Sequence, residues 1–163
     1  VRTERRGKAR ARRLALAAGL AAALVLAGCG SGGSDPAPLT KAEFTKQADA
    51  ICSRAAEKRI KSSEAALKQQ DSRTMSPKQQ QQALEALILN IATPPIVQMT
   101  EELGELNPPH SEQAHAKALL RSLEAEIARI KASPKDVVTG SLGQFAEADQ
   151  LASQSKLEAC AQI

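Results

Sequence analysis

The 163-residue chain has no tryptophan, no tyrosine and only two phenylalanines, Phe44 and Phe145. Sugars and unpaired bases are gripped on aromatic faces, so carbohydrate and single-strand nucleic-acid binding lose their usual platform. A core without aromatic bulk must be filled by Leu, Ile and many alanines, which favours closely approached helices. Histidine is equally scarce. His110 and His115 are the only two, and five positions apart on a helix they diverge by about 140°, whereas a metal pair wants spacings of three or four. The chain also lacks a G-x-S-x-G elbow, a Ser-x-x-Lys site with its companion motifs, and a glycine-rich phosphate loop following a strand. Ser53 and Ser122 fall mid-helix, where a serine is usually just a small residue. No segment alternates with the period of a β-strand, and Val137-Val138-Thr139 is too short to count as one. Glu101, Glu102 and Glu105 cluster, but acid–base catalysis needs carboxylates desolvated in a cleft with separated pKa values, and neighbouring surface glutamates do not signal that. The expectation is a chain that is not an enzyme and carries neither cofactor nor metal.

What the chain does have begins with arginine. Arg2, Arg5, Arg6, Lys8, Arg10, Arg12 and Arg13 form a basic start, Leu14 to Ala27 an apolar stretch, and Gly28 a small residue after it, the three parts of a secretory signal. About 14 apolar residues would span only about 21 Å as a helix, short of the roughly 30 Å hydrocarbon core, which disfavours a permanent transmembrane helix. Arg12-Arg13-Leu14-Ala15-Leu16 also looks like a twin-arginine export signal, so both export routes stay open. The run Leu26-Ala27-Gly28-Cys29 resembles the lipobox of bacterial lipoprotein precursors. That resemblance implies that residues 1–28 are removed, that the Cys29 thiol receives a diacylglycerol, and that the mature chain starts at Cys29 with acyl chains such as palmitate. Two chains hold a protein stably where one is marginal, at about 0.8 kcal/mol per buried CH₂. The implied address is the outer face of the cell membrane, with the membrane itself as a partner through the lipid.

Removing the signal changes the electrostatics. The net charge of +4 becomes 15 Lys and Arg against 17 Asp and Glu over residues 29–163. A slightly acidic domain without a basic run lacks the footprint of a nucleic-acid binder. With Cys29 lipidated, Cys52 and Cys160 are the remaining cysteines, and an even pair in a small exported domain is expected to form a disulfide. A metal or redox pair is the competing reading, but neither cysteine has a Cys or His nearby at ligand spacing.

The mature chain divides into a Gly-, Ser- and Pro-rich tether, residues 29–39 including Cys29, and a helical domain, residues 40–163. Thr40-Lys41-Ala42-Glu43 fits a capping box, with Leu39 placed to staple onto Phe44. The first helix then carries an apolar stripe, Phe44, Ala48, Cys52, Ala56, Ile60, Ser63 and Leu67. Ser76-Pro77-Lys78-Gln79 opens a second helix with core positions Leu84, Leu87, Ile88 and Ile91, which Pro94-Pro95 stops or kinks. Thr93 can cap a third segment carrying Ile96, Met99, Leu103 and Leu106, ended by Asn107-Pro108-Pro109; the second and third helices are either separate or one bent rod. Gln113, Ala116, Leu120, Leu123, Ile127 and Ile130 mark a fourth helix. Ser133-Pro134-Lys135-Asp136 marks a short turn, and a last helix from near Ser141 carries Phe145, Ala148, Ala152 and Cys160. The fold expected is an all-α antiparallel bundle of four to five helices closed by one disulfide.

Phe44-x-x-x-Ala48-Asp49-x-Ile51-Cys52, Leu103-x-x-Leu106-x-Pro108-Pro109 and Cys160 together are similar to small helical actinobacterial lipoproteins of unassigned function. The similarity spans residues 40 to 160. Where an aromatic-Gly-Leu sequence is expected near the last cysteine, Ser155-Lys156-Leu157 stands instead. The resemblance implies no catalytic site. The function expected is a non-catalytic envelope lipoprotein contacting another protein or the cell wall. The alternative is a carrier or sensor holding a small apolar ligand between helices, with alanines and Met99 as its lining.

Overall fold

Thr40 opens the first helix as its spacing predicts. Its amide and hydroxyl both donate to the Glu43 carboxylate, at 2.9 and 2.7 Å, and the Glu43 amide donates back to Thr40 Oγ1 at 3.3 Å. Helix α1 then runs Lys41–Gln69. In the computed structural model, residues 37–69, 75–140 and 145–163 are described. The signal, the lipobox with Cys29, most of the tether and the expected helix start at Ser141 lie outside them.

Ser76 starts α2 (Pro77–Leu87) with the predicted capping box, its amide donating to Gln79 Oε1 at 2.9 Å and the Gln79 amide to Ser76 Oγ at 3.4 Å. Pro94-Pro95 does not end the rod. The two residues have no N–H to offer the preceding carbonyls, and the chain widens into one π-helical stretch, Ile88–Ala92, before continuing as α3 (Thr93–Gly104). Thr93 is therefore not the cap expected of it. Its backbone is helical, and both its amide and its hydroxyl, the latter at 2.7 Å, donate to the Ile88 carbonyl. Helices two and three form one continuous rod.

Past Asn107-Pro108-Pro109 the chain reverses into α4 (Gln113–Ala132), followed by the short α5 (Pro134–Val138). The buried face of α4 holds the expected Leu123, Ile127 and Ile130 and adds Leu119 and Glu126, with Ala116 and Leu120 half-buried at its edge and Gln113 exposed. Leu119 and Leu120 are adjacent, and packing of α4 between α3 and α6 buries Leu119 more deeply.

Helix α6 spans Ala146–Gln154 and does not reach Cys160. It closes in a Schellman motif, with the Leu157 amide donating to Ala152 O at 2.9 Å and the Lys156 amide to Ser153 O at 3.0 Å. Cys160 belongs instead to a separate 3₁₀ turn, Cys160–Gln162. Phe145 also lies outside the helix, buried, with φ +56°.

The architecture is all-α and antiparallel, with α3 between α1 and α4 and with α6 covering α4. Cross-links in reverse order fix the direction of α1 against α3: Lys41 to Glu112 at 2.5 Å, Arg54 to Glu102 at 2.7 Å, and Lys58 to Gln98 at 2.8 Å. The Leu39 amide donates to Asn107 O at 2.9 Å, joining the entry of α1 to the stop after α3. Phe44, Ala48, Ile51, Met99, Leu103, Leu123, Ile127, Ala148 and Ala152 fill the core, where the fully covered alanines allow close helix approach. The Cys52–Cys160 disulfide closes the bundle, with Cα atoms 5.1 Å apart and both residues fully buried. The Ala159 amide donates to Asp49 Oδ1 beside it at 3.0 Å. Among the described residues no helix is long and apolar enough to cross a membrane.

Candidate functional site

At 29 residues α1 is about 43 Å long, against about 30 Å for the 20-residue α4. Its last turns overhang the core. The apolar stripe accordingly stops being buried after Cys52: Ile60 and Leu67, expected in the interior, are 53% and 49% exposed. The overhang packs against the π-helical stretch and faces α2 across a hollow, while α2 itself packs on α5; we call this end of the bundle the arm. Helix α2 has no buried residue, and Leu84 is 39% exposed. Among the described residues these three are the exposed large apolar side chains, and all lie on the arm. A hollow of about 530 Å³ lies between its two sides, lined by Ala66, Met75, Ala83, Leu87 and Ile91.

A second surface runs along the outer side of α3 and α4. Val97, Thr100 and Gly104 from α3, with Leu120, Ile127 and Ala128 from α4, line a groove of about 430 Å³. Glu101, Glu124 and Lys131 stand on its rim, exposed and in no ion pair among the described residues. The Thr100 hydroxyl is already committed to Ile96 O at 2.9 Å. At Gly104 a Cβ would meet nothing within 4 Å, and the backbone there is not left-handed. Neither packing nor conformation therefore requires this glycine, which costs helix stability relative to alanine. Its absent side chain leaves that end of the groove open.

The residues singled out for chemistry do not converge. Met99 is buried, and the hollow beside it, about 150 Å³, is bordered by the Arg54–Glu102 and Lys58–Gln98 contacts. The hydrogen bond from Arg54 holds the Glu102 carboxyl below its ordinary pKa. His110 and His115 are exposed, as are Glu101, Glu105 and Ser53, and Ser122 is half-buried. Among the described residues no group of three or more His, Cys, Asp or Glu is placed to hold a metal ion.

Two carboxylates do stand out. Glu126 is buried, with Oε2 accepting from Arg129 and Oε1 unpartnered. Asp149 on α6 has a buried, unpartnered Oδ1, and burial pushes its pKa up although the charge of Arg59 on α1 pulls it down. They sit on different helices and assemble no cleft.

No family model, no curated protein and no solved structure matches this chain. The functional surfaces rest on its own residues. Reading the sequence missed the exposure of Ile60, Leu67 and Leu84, and gave Gly104 no role. The available signal was the length of α1, which exceeds what a core of short helices can cover.

Proposed function

We propose that this protein is a non-catalytic lipoprotein of the cell envelope, anchored to the outer face of the membrane through lipid on Cys29, whose arm contacts another envelope component. The lipobox and the three-part signal support the anchor. The observation that carries the contact is that Ile60, Leu67 and Leu84 are all exposed on the arm, clear of the core. Large apolar side chains grouped on one exposed feature mark interaction surfaces. This favours a protein contact over an apolar-ligand carrier, since these side chains point outward and enclose nothing.

Two measurements test the reading. Labelled palmitate should be incorporated into the wild-type protein and be lost in Cys29→Ser, which should also leave the membrane fraction; retention of label in the variant overturns the anchor. A photo-crosslinking residue at Leu84 should yield a reproducible protein or cell-wall adduct in intact cells. Absence of any adduct from the arm overturns the contact.

A further inference from the structure

We draw no further inference here: the strongest candidate, the open apolar groove between α3 and α4 lined by Val97, Leu120 and Ile127, carries nothing, because its rim holds charges of both signs in Glu101, Glu124 and Lys131 and nothing in the structure shows what covers it.

Discussion

Lys156 occupies a position that favours glycine. It is the left-handed residue of the Schellman motif after α6, with φ +58°, and its neighbour Leu157 is buried as that motif requires. An L residue there costs about 1–2 kcal/mol, partly offset because glycine loses more freedom on folding. Lys156→Gly should therefore stabilise the protein by about 1 kcal/mol in urea unfolding. The departure at Ser155-Lys156-Leu157 was visible in the sequence, but its meaning was not, because the backbone angle depends on where α6 ends. Asp149 makes a second residue-scale case. Its pKa is raised above the ordinary 3.8 in the folded state, so the native form holds the proton more tightly than the unfolded one, and stability falls as pH rises through that window. Asp149→Asn removes this loss. Its melting temperature should exceed wild type near pH 7, and the difference should vanish near pH 3, below both pKa values; a constant offset across that range would refute the cause.

Capping boxes are read from four consecutive residues, and both of those at Thr40 and Ser76 form as their sequences predict. The failures of prediction lie where an element answers to its neighbours. Of two adjacent leucines the spacing favours Leu120, but packing between α3 and α6 buries Leu119 more deeply and leaves Leu120 at the edge. Two adjacent prolines left a stop and a bent rod both open, and a π turn just before them lets the rod continue. The Thr93 hydroxyl reinforces that turn at Ile88 O, and Thr93 is buried. Thr93→Val keeps the shape and deletes the bond, and should cost about 1 kcal/mol. Hydrogen exchange should rise first in residues 88–92, the place where the ladder is rearranged. The exposed end of α1 is a length effect of the same kind: periodicity continues to Leu67, but the core beneath it does not.

At the scale of the whole molecule the antiparallel helical plan and the cysteine pair were both legible, the first from heptad-like spacing and the second from counting. The candidate surfaces were not, because they are defined by what the core leaves uncovered. The disulfide joins residues 108 apart, which by loop-closure entropy contributes about 4 to 5 kcal/mol. Replacing both cysteines by alanine should lower stability by that order in denaturant unfolding, with the turn at Cys160–Gln162 and its contacts to Ala48 and Asp49 loosening first.

That same span has a consequence in time. On the proposed reading, and by the route that exports an unfolded chain from its N-terminus, Cys52 emerges well before its partner, with 107 residues still to come between them. The thiol nearest to it in sequence is Cys29, only 23 positions away, and by that route it would meet an oxidising compartment before Cys52 does. On the proposed reading, the thioether formed at Cys29 removes the competitor that order of emergence would otherwise favour, so the anchor also acts as a protecting group for the correct bond. Blocking lipid transfer while keeping Cys29 should then give a Cys29–Cys52 species that Cys29→Ser does not show.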